Sequence, residues 1–449
     1  MRYANLRDHI SNSINFGDYL QFMAIQSLYD RMGISSSDVS YIGGADVATY
    51  RGEKLVLPLN FISSIIVRDN KIAVSSDIIP VFLGFSLSSV IDELIPERFF
   101  SIDENLAYFR KFAPIGCRDQ YTYDIFNSLK IPAYLNGCLT ATFPKREIMK
   151  NETKVIFADA PMALKKFIPK RLFDNCEFTT QQAYFSDEDL KESTKIFDFV
   201  REHYNYYKQN ASLIVTSRLH VAIPCAAMGI PVVFAKDFID QRFSWAEKLI
   251  PLYSAEQYKE INWDPKPAEY EPVKQKIASL AISRVKGVAQ SISTNSDYIE
   301  YDEKTAKEIT DYYFKRNKVL YYDSHSVTHK NISRLELALD ALTQPENTIK
   351  YALWGANKNL GFWIDFISSK YPTTVLTAII DSYKTGYWEG FPIHKPDYLR
   401  EYKPYVIVTA VSATSYATRF LEGIGYKPEE YLVVADEFIT EREDQEALS

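Results

Sequence analysis

The stretch Thr216–Lys236, TSRLHVAIPCAAMGIPVVFAK, constrains the fold more than any other part of the chain. An apolar run, Leu213-Ile214-Val215, leads into it, and a second, Pro231–Ala235, closes it. Between them lie small and apolar residues, so the unit reads as strand, short helix, strand. Pro224 has no N–H to give to the carbonyl of residue 220, four back. Either the helix proper starts near Pro224 or the His220 carbonyl lacks its usual partner. Both options put His220 in the first turn or before it. Gly229 suits the helix end, and Pro231 prevents continuation.

Similar alternation runs through the chain. Its 449 residues leave room for two or three domains. FGDYLQFMAIQSLYDRMG spaces Leu20, Met23, Ala24, Ser27 and Leu28 on one helical face, and Gly33 suits the C-cap. MRYANLRDHISNSI is a poor apolar strand, which predicts a short or irregular start. FAPIGCRDQYTYDIFNSLKIPAYLNG reads strand, helix, strand, with Asp119 as the cap. A second series starts at NETKVIFADAP and includes a long amphipathic helix over 187–208. A third begins at NTIKYALWGANKNLG. The expected organisation is a first α/β unit over 1–147, a second over 148–290, a helical connector over 291–345 and a small C-terminal Rossmann-like α/β unit over 346–449.

Composition excludes several classes. A formal net charge of −7 argues against nucleic-acid binding driven by overall charge, though not against a local basic pocket. The four cysteines, Cys117, Cys138, Cys176 and Cys225, form no CxxC pair and have no histidine at a zinc-like spacing, so no metal site is expected. They read as reduced thiols of a cytoplasmic protein. The start has no signal-peptide core, and no run is long enough for a membrane span. Nothing in the sequence signals an oligomeric state.

Chemistry concentrates where strands give way to helices. Ligands of open α/β sheets bind beyond the carboxyl ends of the strands, and helix N-termini there favour anions. Arg218 and His220 lie at such a junction, and Arg118 lies at the equivalent one in the first unit. On the residues alone, His220 reads either as a ligand-facing group or as a satisfied buried histidine. An arginine at a helix start opposes the dipole, which points Arg218 toward a carboxylate or an anionic ligand. In NFGD, Asn15–Asp18, Gly17 lets backbone approach a ligand, and Asp18 either caps the helix or accepts from a sugar hydroxyl. In the third unit Gly355 and Asp381 sit where a nucleotide-binding unit would use them. Asn357 breaks the glycine fingerprint, so the unit reads as a nucleotide site or as an accessory domain.

Three stretches, NFGDYLQFMAIQSL, IGCRDQYTYDIFNSLKIPAYLNGCLT and ASLIVTSRLHVAIPCAAMGIPVVFAK, resemble the polysaccharide pyruvyl transferases over roughly residues 11–250. The resemblance implies a GT-B-like pair of Rossmann-like halves with the active site between them. It implies phosphoenolpyruvate as donor substrate without a further cofactor, and a sugar or lipid-linked oligosaccharide as acceptor, in surface polysaccharide synthesis. The alternatives are a GT-B glycosyltransferase using a nucleotide sugar and a non-catalytic carbohydrate-binding relative. By the same resemblance His220 would be the general acid, chargeable near neutral pH, and Arg118 and Lys236 would hold the donor's phosphate or carboxylate. Arg218 and Arg242 are further donor-binding candidates; the alternative for Arg242 is a surface arginine.

Overall fold

The computed structural model describes residues 2–8, 13–87, 96–147, 154–185, 193–237, 239, 241–294, 301–315, 326–342, 348–356, 360–410 and 413–434. Two compact units divide the chain, Met1–Ser324 and His325–Ser449. The boundary falls inside the predicted connector.

The first unit holds two parallel sheets. The first sheet comprises β1 (Arg2–Asp8), β3 (Val39–Gly43), β4 (Leu55–Leu59), β7 (Ile78–Phe85), β8 (Ile115–Cys117) and β9 (Ala133–Leu135), in the order β3-β1-β4-β7-β8-β9. Outside it lie β2 (Ser13–Asn15) and a small hairpin of β5 (Val67–Arg68) and β6 (Lys71–Ile72). The poor apolar content of the first residues does not make β1 short. Ala4 and Leu6 are buried, and buried Asn5 is satisfied by donating to the Phe22 carbonyl at 2.9 Å. The partners are long-range, so the strand pattern is weak in the sequence.

Helix α1 (Phe16–Met32) covers this sheet and ends at Gly33, whose φ of 73° is the left-handed conformation that glycine adopts without strain. Its buried surface is wider than the predicted face and includes Tyr19, Phe22, Ile25 and Tyr29. Further along run α2 (Pro96–Phe100), α3 (Asp103–Lys111) and α4 (Gln120–Ser128); Asp119 caps α4 by accepting from the Thr122 N–H at 2.9 Å, as expected.

The second sheet comprises β10 (Lys154–Ala158), β11 (Cys176–Thr179), β13 (Ala211–Thr216), β14 (Val232–Ala235) and β15 (Leu252–Tyr253), in the order β11-β10-β13-β14-β15. Its topological switch point, where strand order reverses, lies between β10 and β13. The amphipathic helix predicted over 187–208 is α5 (Ser193–Asn210); residues 186–192 lie outside the described residues. Helix α6 (Leu219–Ala227) links β13 to β14. A short antiparallel pairing joins the halves: β12 (Gln182–Tyr184) runs against β2. Beyond it the Phe16 N–H reaches the Gln181 carbonyl at 2.9 Å. Helix α7 (Glu271–Thr294) returns to pack on β4, β7 and α1, and α8 (Glu303–Lys315) packs on β9. One apolar cluster runs through both sheets and these helices.

The second unit begins with α9 (Ser326–Leu342), whose Leu335 and Leu339 enter its core. Its sheet has the order β18-β19-β17-β16-β20-β21, from β16 (Ile349–Trp354), β17 (Thr374–Ile380), β18 (Gly386–Trp388), β19 (Phe391–His394), β20 (Tyr405–Val408) and β21 (Tyr431–Val433). All pairings are parallel except β18 with β19. Helix α10 (Leu360–Lys370) packs on one face, and α11 (Tyr398–Glu401) and α12 (Thr414–Gly423) on the other. Among the described residues no helix is long and apolar enough to cross a membrane.

Candidate active site

The switch point of the second sheet organises the site. Asp159 follows β10 directly, with a φ of 49°. Its buried carboxylate meets Arg218 Nε at 2.7 Å and accepts the Gln181 N–H at 3.1 Å. Its carbonyl accepts the Ser217 hydroxyl at 2.7 Å. The two strand ends are thus tied together. Arg218 is the N-cap residue of α6, and the cation opposes the helix dipole there. Asp159 offsets that cost and is the partner the sequence left open.

His220 departs from helical geometry, with φ −85° and ψ 16°. Pro224 leaves its carbonyl without the usual N–H. The hydroxyl of Tyr204, on α5, donates to that carbonyl instead. Tyr204 also sits 2.7 Å from Gln181 Oε1, and the Gln181 amide nitrogen is 2.9 Å from the Tyr207 hydroxyl and 3.0 Å from His203 Nε2. A polar network therefore fixes the main chain of His220 from below.

The imidazole lies between the two halves. A Cβ placed on Gly17 would come within 2.8 Å of His220 Nδ1. The glycine of NFGD therefore makes room for the histidine of RLH. On the other side His220 Nε2 is 3.8 Å from Cys138 Sγ. The neighbouring cap is Asn15, whose Oδ1 accepts the Gly17 N–H at 3.2 Å. Asp18 occupies the first turn of α1 without being its cap, a correction to the cap reading, because Asn15 has the extended backbone a cap needs.

Arg118 follows β8 and is 3% exposed. Its Nε donates to the Gly84 carbonyl at 3.0 Å, and its Nη2 donates to the Gln21 side chain. Both acceptors are neutral, so neither cancels the guanidinium charge. Lys236 Nζ and Arg242 Cζ lie 5.6 and 5.8 Å from the centre of the Phe243 ring. Burial, then Arg118, then Arg242 hold the His220 pKa well below the ordinary histidine value. The ligand-free ring is therefore harder to protonate than an ordinary histidine, which runs against the expectation of one chargeable near neutral pH. Arg118, His220 and Arg242 share one electrostatic field, and Lys236 joins Arg242 at Phe243.

Two of the C-terminal candidates make contacts within the second unit's fold. Gly355 has φ 132°, and a Cβ there would meet the Ala410 Cβ at 2.7 Å. Asp381 accepts the N–H groups of Ala356, Tyr383 and Lys384 at 2.8–2.9 Å. Asn357 lies outside the described residues. Sequence reading missed Asp159, Tyr204, Cys138, Asn60 and Gln21. Asp159 and Asn60 carried one usable signal, since each follows directly on an apolar strand.

A family model described as polysaccharide pyruvyl transferase matches residues 15–235, from the cap of α1 to the end of β14. No curated protein matches the chain. Among solved structures it is similar to a functionally uncharacterised protein from Klebsiella pneumoniae, 15% identical, covering 52% of this chain and 82% of that one, with a TM-score of 0.32. It is also similar to a wall teichoic acid polymerase, 10% identical, covering 70% and 88%, with a TM-score of 0.29. Neither likeness is high enough to bear on the site. Residues 15–235, which carry Gly17, Arg118, Arg218 and His220, are thus the part of the chain that matches the polysaccharide pyruvyl transferase family.

Proposed function

We propose that the chain moves the enolpyruvyl group of phosphoenolpyruvate onto two hydroxyls of a sugar, forming a pyruvate ketal and releasing phosphate, in surface polysaccharide synthesis. The observation that carries this reading is a histidine set between the halves, beside Gly17 and Cys138, in the field of cations from both, Arg118 and Arg242. Phosphoenolpyruvate brings a carboxylate and a phosphate to such a place. Arg118, Arg242 and Lys236 hold these groups, with Arg118 preorganised by Gly84 and Gln21. Arg218 keeps the junction in shape through Asp159.

The donor's own charge completes the acid. Anionic groups beside the ring offset Arg118 and Arg242 and raise the histidine's proton affinity. His220 then gives a proton to the methylene carbon as a sugar oxygen bonds to C2. Loss of phosphate breaks the C2–O bond, and the second sugar oxygen takes its place. Of the two hydroxyl protons released, one replaces the proton His220 gave up and the other leaves with phosphate.

In this reading the two sheets of the first unit form a GT-B-like pair around a cytoplasmic cleft. The acceptor is a sugar or lipid-linked oligosaccharide. The test incubates the full chain with phosphoenolpyruvate and a panel of glycosides, following phosphate release and the ketal methyl signal by NMR. Ketal formed in step with phosphate supports the reading. Consumption of a nucleotide sugar with the same acceptors, without phosphoenolpyruvate, overturns it.

A further inference from the structure

Cys138 is fully buried three residues beyond β9, against the ring of His220. Its surroundings decide which way its proton points. Asn60 accepts the Leu139 N–H at its Oδ1, 3.1 Å away, so its amide nitrogen is the end that faces Cys138 Sγ at 3.4 Å. That nitrogen can only donate. The Thr140 hydroxyl lies 3.3 Å from the same sulfur. The thiol has one proton, with two acceptors in reach: the Thr140 oxygen and His220 Nε2. A neutral imidazole nitrogen is much the more basic, so the S–H points to Nε2 and the threonine donates to sulfur. An imidazole that accepts at Nε2 carries its proton on Nδ1.

We propose that Cys138 is a positioning residue that holds free His220 as the Nδ1–H tautomer; when the bound donor's charge draws a second proton onto Nε2, Nδ1, over Gly17, is the nitrogen that hands its proton over, and the ring returns to neutral with a proton on Nε2 that Cys138 Sγ accepts. The tautomer stands on Cys138, Asn60, Leu139 and Thr140 alone. The proton-transfer clause rests on the pyruvyl transfer reading. The arrangement gives Gly17 a chemical purpose as well as a steric one, since any side chain there would fill the space beside the donating nitrogen.

The test is a long-range proton–nitrogen correlation spectrum of the full chain, labelled with nitrogen-15 in histidine, at pH 7.5 without ligand. Comparison with His220→Gln assigns the signals. The expected result is a pyrrole-type Nδ1 and a pyridine-type Nε2. In Cys138→Ala the preference is lost, and in Cys138→Ser, which restores an O–H donor, it returns. A wild-type spectrum with the proton on Nε2, or with both nitrogens protonated, overturns the proposal even if no variant folds. So does an unchanged tautomer in Cys138→Ala. With an active enzyme, Cys138→Ala lowers kcat on the order of tenfold, a part of what a general acid contributes. Its KM for phosphoenolpyruvate is unchanged, and Cys138→Ser recovers kcat. Absence of ketal formation beside the expected tautomer would sink the functional reading and leave this one standing.

Discussion

Two switch points of similar topology have opposite fates in this chain. Between β10 and β13 the strand ends carry Asp159, Arg218 and His220, and the carboxylate is paired with a side-chain cation. Between β16 and β20 the strand ends carry Gly355 and Ala410, packed so closely that one added methyl would clash. The carboxylate near it, Asp381, accepts three backbone N–H groups. Parallel α/β topology offers a crevice at each place. The described residues that follow the strands differ: a side-chain ion pair at the first place, close backbone packing at the second.

The widest gap between the two places should appear in catalysis. His220→Ala is expected to lower turnover by about 10²–10⁴-fold, the usual share of a general acid. Its unfolding midpoint should stay near wild type. Turnover within a few-fold of wild type would erase the functional distinction between the two switch points.

Stability should distinguish them next. Arg218→Gln leaves the Asp159 carboxylate buried without its cation, at a cost of about 3 kcal/mol. Adding Asp159→Asn should recover much of that loss, as denaturant midpoints of the two single variants and the double variant would reveal. Strict additivity would mean that the pair does not hold the junction together.

Acid sensitivity belongs to the first unit as well. Burial lowers the His203 pKa to about 4, against an ordinary value of 6.5. A base that binds its proton less readily when folded favours the unfolded state as pH falls. The stability is complete above about pH 6.5 and declines as pH drops toward 4, by up to about 3 kcal/mol. His203→Gln should flatten that slope over this window. A slope unchanged in the variant would assign it to other groups.

The smallest effect is expected in the C-terminal unit. Asp381→Asn keeps an oxygen that can accept but removes the charge, at about 1 kcal/mol. It should lower the unfolding transition of that unit and leave turnover alone. Lost turnover would promote this switch point to a working site.

Local rules made part of this legible. Asp119 as a cap, Gly33 as a left-handed stop and Pro224 as a break in hydrogen bonding each depend on neighbours within a few residues. The same rules placed Arg118, Arg218 and His220 at strand ends. They failed where the deciding partner is remote. Gly17 and His220 are adjacent in space but 203 positions apart in the numbering. Tyr204 lies within the amphipathic helix predicted over 187–208, and only the fold turns its hydroxyl onto a carbonyl. β1 shows the converse, since a strand in the middle of a sheet draws its stability from neighbours its own composition does not reveal.

Pro224 carries a consequence for anyone who would transplant this site. By silencing one amide, it makes the backbone at His220 lean on a phenol from a different helix. The seven letters from Arg218 to Pro224 are therefore not a self-contained cassette. Moved into another α/β scaffold without a tyrosine in the place of Tyr204, they would arrive with an orphaned carbonyl and a histidine free to swing. The transferable module is a tripod of Gly17, Tyr204 and the RLH turn, whose three feet stand on separate parts of the chain.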